Sequence, residues 1–589
     1  MPVTSDHTTR PPETADAARA PGGAGRDTTR MMLLGEARGW AGRWQGGLLL
    51  VAICLAVLLP GLFTLPPIDR DESRFAQASR QMLESGDFVV PRVQDRPRLN
   101  KPPLIYWLQA ASAAAFTGGD ASRDAIWMYR LPGAACMLLA VLATWRIGCA
   151  LGDPRAALLG AALLAICPLV VIDAHQARAD QLLLLTTTIA MCGLWRVLRG
   201  GGRLAWVGLW LAVGAGVMAK GPVTPMVVLF SAAAWAVMKG DWRGTLRTVR
   251  PLLGLAIVGA CVAPWVVAVG GRVGWDVYLS AIVDETLGRS VGAKEGHWGP
   301  PGYHLLLLVA LFFPGSILTG LAFVRTLRSG LRRRPLRWDG RDADLFLLTW
   351  IVPAWIVFEL ISTKLPHYTM PLYPAVALLT ARTTLRASAG LVPEVSGFVT
   401  RLGFAAWMLV GLACLCGGLT VLAQLQGPGA VRTIAYVLAG IVLTLLVSAW
   451  LAARFGRVLR ALLLAGVASV GAIAASLGWL LPRSDDLWIT RSITGSGAWV
   501  RSDPVGKLPI AASGYAEDSL MFETRGHLVR LADDRDAAAA WLRVNNGLLI
   551  VRAENALGGM TLAQVRGFNY SRGRWETVLL VRRGPGAAP

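Results

Sequence analysis

The sequence predicts an all-α membrane protein with about thirteen transmembrane helices, followed by a small α/β domain outside the membrane. Hydrophobic residues make up 54% of the 589 residues and charged residues only 16%, whereas a soluble chain carries about 25% charged residues. Apolar runs recur along the chain as far as residue 481, and short alternating segments replace them afterwards. Most of the chain must therefore face lipid.

Each apolar run is close to the ~20 residues that a helix needs to cross a bilayer. We place the spans at 45–63, 128–149, 155–173, 180–198, 204–219, 221–238, 251–269, 302–324, 343–361, 368–386, 402–424, 433–453 and 459–481. The apolar run 104–116 is too short to span, so we predict a helix on the membrane surface there.

The charge distribution indicates topology. Lys and Arg number 58 against 37 Asp and Glu, a net charge of +21. Basic residues gather at connections between the spans, as in cytoplasmic loops. No basic stretch alternates with aromatic residues on a polar surface, so we expect no nucleic-acid partner. With thirteen spans, the cationic connections share the cytoplasmic side with the N-terminus, and the C-terminus lies outside.

The expected domains follow from these features. Residues 1–43 are polar and lack apolar periodicity, so we predict a disordered cytoplasmic tail. Residues 44–481 form the transmembrane domain, with a first outer loop at 64–127, and residues 482–589 form the outer α/β domain. The last of these contains four predicted strands (LPIAASG, GHLVRLA, GLLIVRA and ETVLLVRR) and one helix (DDRDAAAAWLRV). All eight cysteines lie in apolar stretches, so we expect no disulfide and no cysteine-based metal site.

The first outer loop carries the densest group of charges. Three acids and two arginines fall within six residues, from Asp69 to Arg74. The helical spacing that follows predicts an amphipathic surface helix with Asp71 and Arg74 at its N-terminal end. Further along, two prolines hold Lys101 just before the next apolar segment, where a cation meets an anionic headgroup.

Other ionisable residues lie at the same outer ends of the spans. Asp180 is either a helix cap or a site residue, and both interpretations remain open. Lys220 is at the end of a span, where a lysine that reaches toward water is the alternative to a site residue. The remaining candidates are Arg178, His297, Lys364, His367 and Tyr368. Their convergence on one face predicts an enzyme with cations placed for a phosphate leaving group.

These residues fall in motifs that resemble a known family. The motifs are Asp71-Glu72-x-Arg74-Phe75-Ala76, Lys101-Pro102-Pro103-Leu104-x-Tyr106-Trp107, Arg178-x-Asp180, Lys220-Gly221-Pro222, Gly296-His297-x-Gly299-Pro300 and Thr363-Lys364-Leu365-Pro366-His367-Tyr368. In this order they resemble integral-membrane glycosyltransferases that use polyprenyl-phosphate sugars, the protein O-mannosyltransferase and aminoarabinose lipid A transferase group of GT-C fold. The branch most similar to this chain is the undecaprenyl-phosphate aminoarabinose transferases.

The resemblance implies a reaction and roles for residues. It implies an enzyme of the bacterial inner membrane that takes a sugar from undecaprenyl phosphate and passes it to lipid A or another envelope glycan at the periplasmic face. Asp71 and Asp180 would be catalytic. The substrate and its phosphate would be bound by Arg74, Lys101, Arg178, Lys220, Lys364, His367 and Tyr368.

A metal site is the point at which this chain departs from the branch it resembles. His297 matches a metal ligand of that branch, but Asn100 stands where the branch has a glutamate. One imidazole and one neutral amide are a poor ligand set for a divalent cation. We therefore expect weak or absent metal binding and name no certain cofactor.

Two alternative functions remain open. A close relative of the same group would glycosylate protein hydroxyl groups from a polyprenyl-phosphate sugar, because acceptor choice depends on the shape of the cavity. A lipid or solute transporter would need ionisable residues near the middle of its spans. The central parts of these spans are almost free of charge, which favours an enzyme.

Overall fold

Long apolar helices build the larger part of the fold. The computed structural model describes residues 39–291, 299–331, 342–502 and 508–583. Nine helices in this part are long and apolar enough to cross a membrane: Trp44–Leu62, Ile126–Ala150, Asp180–Leu198, Arg203–Lys220, Trp242–Val273, Asp342–Leu360, Phe398–Gln424, Ala430–Arg454 and Val458–Arg483. A tenth is counted if Pro154–Ala165 and Pro168–Ala174, which meet at 54°, form one span.

Three further predicted spans fall on shorter helices. They correspond to Val223–Lys239, to Tyr303–Leu311 with Gly315–Leu318 and Thr319–Leu331, and to Pro366–Leu372 with Tyr373–Ser388. The all-α membrane architecture is confirmed, whereas the count of thirteen stays a prediction. Most of the predicted disordered tail, residues 1–38, lies outside the described residues.

The first loop folds as two helices around a small hairpin. The predicted amphipathic helix is present at Asp71–Ser85, which we call the surface helix; it begins with two acids in its first turn and ends at Gly86, whose φ is 69°. The strands Arg92–Val93 and Arg96–Pro97 pair in antiparallel fashion. The short apolar segment forms the helix Leu104–Thr117, and a single turn follows at Ala121–Arg123.

A buried ion pair fixes the surface helix to the membrane domain. The guanidinium of Arg130, in the helix Ile126–Ala150, donates to both carboxylate oxygens of Glu72 at 2.7 and 2.8 Å. Neither side chain is exposed. Glu72 also accepts hydrogen bonds from the backbone N–H groups of Ile68 and Ala177. The beginning of the surface helix is thereby held against the ends of the transmembrane helices.

The C-terminal part is a five-stranded mixed sheet with helices around it, so the predicted small α/β domain is present. The strand order is Leu528–Leu531, Ile510–Ser513, Leu548–Arg552, Arg574–Arg582 and Met560–Asn569, with the first three parallel and the last two antiparallel to their neighbours. The helices are Ile489–Thr494, Gly497–Ser502, Asp518–Glu523 and Arg535–Val544. All four predicted strands and the predicted helix are observed, whereas Met560–Asn569 was missed.

The sheet domain packs on the surface helix. The Arg80 guanidinium donates to the carbonyl of Phe522 at 2.6 Å and to Asp124 at 2.7 Å. Arg525 of the sheet domain pairs with the same Asp124 at 3.2 Å. A further ion pair joins the N-terminal end of the surface helix to the sheet domain: Arg74 pairs with Asp518, the first residue of the helix Asp518–Glu523, at 2.7 Å.

Candidate active site

A cavity of about 450 Å³ lies between the surface helix and the ends of the transmembrane helices. We call it the main cavity. Its lining combines apolar residues, among them Leu169, Ile172 and Leu311, with charged and polar ones. The charged and polar lining residues are Arg70, Asp71, Arg74, Arg98, Asn100, Asp173, Gln176, Arg178, Thr363 and His367. A cavity that is lined by both apolar and charged residues suits an amphipathic substrate.

A smaller pocket adjoins the main cavity, since the two share Asp71, Arg98, Asn100, Arg178, Leu365 and His367 in their linings. The inner pocket, as we call it, is also lined by Phe75, Lys101, Asp180, Lys220 and Tyr368. Eight of the nine described candidates from the sequence therefore line this shared space, and seven of them line the inner pocket: Asp71, Lys101, Arg178, Asp180, Lys220, His367 and Tyr368. The eighth, Arg74, lines the main cavity but not the inner pocket.

Arg178 is the centre of the charge network. Its guanidinium lies 3.5 Å from a carboxylate oxygen of Asp71, 3.6 Å from Asp173 and 3.4 Å from Asp180. The Arg178 side chain is only 13% exposed. One buried cation thus holds three carboxylates in place, because each would otherwise be repelled by the other two.

Asp71 is the most accessible of the three carboxylates, with 48% of its side chain exposed. A second cation, Arg98, lies 3.8 Å from it. Burial alone would raise the pKa of Asp71, but Arg178 and Arg98 outweigh burial and hold the pKa below its usual value. Asp71 is therefore ionised at neutral pH and points into the main cavity.

The backbone before Asp71 is strained and is held by the sheet domain. Arg70 has φ 65° and ψ −113°, a conformation that residues other than glycine rarely adopt. The Asp69 N–H donates to the Tyr570 hydroxyl at 2.8 Å, and the Arg70 guanidinium donates to the Ser571 carbonyl at 2.5 Å. Contacts from the loop after Met560–Asn569 thus fix the turn that presents Asp71.

Asp180 and Lys220 pair directly, which favours the site interpretation for both. The Lys220 ammonium donates to the Asp180 carboxylate, and His367 lies 3.7 Å from the same carboxylate. The Asp180 side chain is only 4% exposed. Lys220 also lies 5.7 Å from the centre of the Tyr368 ring.

Three candidates have other surroundings than expected. Lys101 lines the inner pocket but is bonded to Glu285 of the helix Trp275–Val291. Lys364 lines neither cavity, and its ammonium donates to the carbonyl of Ile361 at 2.6 Å. The structure thus does not bring Lys364 into the predicted phosphate site, because its own short turn binds the ammonium. His297 lies outside the described residues.

The sequence analysis did not name every residue that lines the site, and some residues in or near its motifs have a structural role instead. Arg98 and Asp173 face the network, although neither was among the candidates. Arg98 donates to the Tyr106 hydroxyl at 3.0 Å. In contrast, Glu72 of the first motif is structural. His175, three residues before Arg178, bonds the carbonyls of Val171 and Pro60 and is structural as well.

The described residues do not form a metal site. Nowhere in the ranges that the structure covers do three His, Cys, Asp or Glu side chains lie close enough together to hold a metal ion. The buried Asn100 carbonyl oxygen has no hydrogen-bond partner among the described residues, but it is a neutral donor. The donor set described here does not fit a divalent ion, so we assign no step to a metal.

Metal chelation is the first test of this site. We expect EDTA to leave the activity of the purified protein largely intact, because arginines line both cavities and two lysines, Lys101 and Lys220, also line the inner pocket, so that a phosphate would meet cations without a metal. Activity before and after chelation, with metal content measured in parallel, checks this. Stoichiometric zinc together with loss of turnover on chelation would contradict it, and Asn100→Glu would be the variant to raise metal affinity.

Lys220 provides the second test. Lys220→Ala should lower activity about 100-fold, or ~2.7 kcal/mol in the barrier, because it removes a buried cation and frees the Asp180 carboxylate. Lys239→Ala is the matched control, since Lys239 also ends a helix and also bonds an aspartate, Asp342, but lines neither cavity. If Lys220→Ala and Lys239→Ala were equally active, Lys220 would have only a structural role.

Sequence comparison connects this chain to enzymes of known type. Residues 100–267 match the family model described as dolichyl-phosphate-mannose-protein mannosyltransferase. The undecaprenyl phosphate-α-4-amino-4-deoxy-L-arabinose arabinosyl transferase 1 of Pseudomonas fluorescens strain Pf-5 is 31% identical over 359 residues, which cover 59% of this chain and 61% of the relative. The corresponding transferase of Edwardsiella ictaluri is 28% identical over 392 residues, covering 64% and 65%. Each match therefore covers less than two thirds of the relative.

Comparison of structures establishes the fold. The chain has the GT-C fold, a helical membrane domain with a small sheet domain beside its charged cavity. It is similar to ArnT from Cupriavidus metallidurans bound to undecaprenyl phosphate, with a TM-score of 0.70, 20% identity and coverage of 91% of this chain and 99% of ArnT. The apo form of ArnT gives a TM-score of 0.69. The resemblance predicted from the motifs is confirmed.

Proposed function

We propose that this protein is a glycosyltransferase that moves 4-amino-4-deoxy-L-arabinose from undecaprenyl phosphate to lipid A. The main support is the ionised Asp71 at the junction of the main cavity and the inner pocket, held between Arg178 and Arg98. The relatives named for this sugar and this carrier supply the donor. The expected acceptor is a phosphate of lipid A or of another lipopolysaccharide part.

The charges of the main cavity suit the transfer of a sugar from one phosphate to another. Four arginines and two aspartates line it, which leaves positive charge in excess: Arg70, Arg74, Arg98, Arg178, Asp71 and Asp173. An oxygen of the acceptor phosphate forms the new bond to the anomeric carbon of the sugar. The bond from that carbon to the donor phosphate breaks, and undecaprenyl phosphate leaves with the electron pair. Guanidinium groups stabilise negative charge on both phosphates.

The state of Asp71 favours a phosphate acceptor over a hydroxyl acceptor. A general base works best when its pKa lies near the working pH, whereas the pKa of Asp71 is held below its usual value. A phosphate oxygen is already anionic and needs no base. Asp71 is instead placed to stabilise the positive charge that develops on the sugar as the bond to the donor phosphate breaks.

The inner pocket is the proposed site of the donor phosphate. Lys101 and Lys220 reach it from two different segments, and each is bonded to a carboxylate. A phosphate replaces such a carboxylate without leaving either cation unpaired. Leu169, Ile172 and Leu311 of the main cavity then face the apolar part of a lipid substrate.

This function sets an orientation in the bacterial inner membrane. The surface helix and the sheet domain lie in the periplasm, because lipid A and the sugar-loaded carrier meet at that face. The N-terminus lies in the cytoplasm, and residues 482–589 form a periplasmic domain. The boundaries 1–43, 44–481 and 482–589 remain part of the proposal.

Reconstituted transfer tests the proposed function. The purified protein, undecaprenyl phosphate-linked aminoarabinose and lipid A should yield lipid A heavier by one aminopentose per modified phosphate, seen by mass spectrometry. Asp71→Asn is the inactive control. Transfer to a protein hydroxyl but not to lipid A would contradict the proposal and support the protein O-glycosylation expected from the matched family model.

A further inference from the structure

A third cavity lies between the surface helix and the sheet domain and has no role in the chemistry proposed so far. Its volume is about 380 Å³. Two lining residues come from the start of the surface helix and the turn before it, and the others come from the sheet domain. They are Arg70, Arg74, Ala516, Glu517, Asp518, Arg530 and Arg572. We call this cavity the arginine cleft.

The arginine cleft has an excess of positive charge. Arg74 and Arg530 share one carboxylate, Asp518, at 2.7 and 2.8 Å. Arg572 pairs with Glu517 at 3.1 Å. Each guanidinium carries five N–H donors, so two lining carboxylates neither neutralise four arginines nor use all of their donors.

A second ion-pair cluster between the first outer loop and the sheet domain has a structural role, and its charge balance and burial can be compared with those of the cleft. Arg80 and Arg525 face Asp124 and Glu84, so positive and negative charges are balanced. Arg80 and Asp124 are also almost completely buried, with 3% and 0% of their side chains exposed. The cleft differs in both respects, because its charges are unbalanced and its arginines are open to solvent.

The exposure of the cleft arginines allows a ligand to reach them. Arg74, Arg530 and Arg572 have 35%, 42% and 37% of their side chains exposed. Arg70 and Arg74 line both the cleft and the main cavity. A single molecule can therefore have one anionic group in the main cavity beside Asp71 and another in the cleft.

We propose that the arginine cleft binds a second anionic group, a phosphate or a carboxylate, of the acceptor whose reacting phosphate lies in the main cavity. This inference rests on the proposed function. The donor is a poorer candidate for the ligand of the cleft, because we place its phosphate in the inner pocket, which Lys220 and Asp180 line. Arg530 and Arg572 line the cleft but not the main cavity, so that replacing them changes the contact with this second anionic group and not the lining around the reacting phosphate.

The test compares diphosphoryl lipid A with monophosphoryl lipid A as acceptors for the full-length purified protein. Wild type should have a KM about tenfold lower for the diphosphoryl form. The double variant Arg530→Ala/Arg572→Ala should lose this difference, with kcat and the donor KM unchanged. Arg530→Lys/Arg572→Lys keeps the charges and should keep most of the preference. Arg535→Ala is the matched control, since Arg535 is exposed in the same domain and lines none of the three cavities.

A second pair of acceptors distinguishes the two anion types. Monophosphoryl lipid A with and without attached acidic sugars tests whether a carboxylate replaces the missing phosphate. An equal rise in KM of the double variant for every acceptor, or a fall in kcat with KM unchanged, would overturn the proposal, because a merely structural role predicts those results.

Failure of the proposed function gives a different result. If wild type modifies none of these acceptors, the proposed reaction is wrong, and binding of inorganic pyrophosphate by calorimetry tests the cleft directly. Binding about tenfold weaker in the alanine double variant than in Arg535→Ala supports an anion site. Equal binding by the two variants would refute it.

Discussion

Asp71→Asn should lower sugar transfer at least about 1000-fold, or ~4 kcal/mol in the barrier, and leave the protein folded. The carboxylate is 48% exposed, and its two ion pairs are 3.5 and 3.8 Å long. Partly exposed pairs of this length contribute at most about 1 kcal/mol to stability. In the proposed reaction, however, the variant loses the more exposed of the two carboxylates, Asp71 and Asp173, that line the main cavity in the described part of the chain.

Single-turnover rates with saturating donor measure this effect, and the apparent Tm of the detergent-solubilised protein shows whether the fold is intact. Asp95→Asn is the matched control, because Asp95 is an exposed aspartate of the same loop outside both cavities. Because the pKa of Asp71 is lowered, its ionisation should not contribute to the pH profile between about pH 5 and pH 8. Retention of more than about a tenth of wild-type activity would argue against a central role.

The positions of the membrane helices and most of the sheet domain were predictable, because each obeys a simple rule. A span needs a long apolar run, and four of the five strands of the sheet domain are apolar segments that end at charged or turn residues. Met560–Asn569 has a weaker signal: its first residues are exposed and only Val565, Gly567 and Asn569 are buried. This strand is held by pairing along its whole length with Arg574–Arg582, which sequence alone does not show.

One pair of site residues was predictable but was not recognised. Asp180 begins one long helix and Lys220 ends the next, with only residues 199–202 between the helices. Helices joined by so short a connection run antiparallel, so the first residue of one meets the last residue of the other. The alternative in which Lys220 reaches toward water did not take this geometry into account.

Arg98 was not predictable in the same way. The loop contains Arg92, Arg96 and Arg98 within seven residues, and nothing in the sequence distinguishes them. The hairpin Arg92–Val93 and Arg96–Pro97 turns the chain so that Arg98 reaches the Tyr106 hydroxyl and Asp71. Which arginine faces the site therefore depends on a two-residue strand pairing, and such short pairings leave little trace in a sequence.

Two adjacent acids at the start of the surface helix should have different roles: Asp71 in the reaction and Glu72 in the stability of the fold. Asp71 and Glu72 are about 100° apart around the helix, so one faces the main cavity and the other faces the membrane domain. Glu72 is completely buried and binds Arg130 through both oxygens. A buried ion pair that loses one partner leaves the other charge uncompensated, which costs about 3–5 kcal/mol.

Glu72→Gln should therefore destabilise the protein by about 3–5 kcal/mol, in contrast to Asp71→Asn. The free energy of unfolding in detergent, or the apparent Tm where unfolding is irreversible, measures this difference. The double variant Glu72→Gln/Arg130→Met removes both charges and should be more stable than Glu72→Gln alone, because no unpaired guanidinium stays buried. An unchanged Tm for Glu72→Gln would mean that the hydrogen bonds from Ile68 and Ala177, and not the ion pair, hold the surface helix in place.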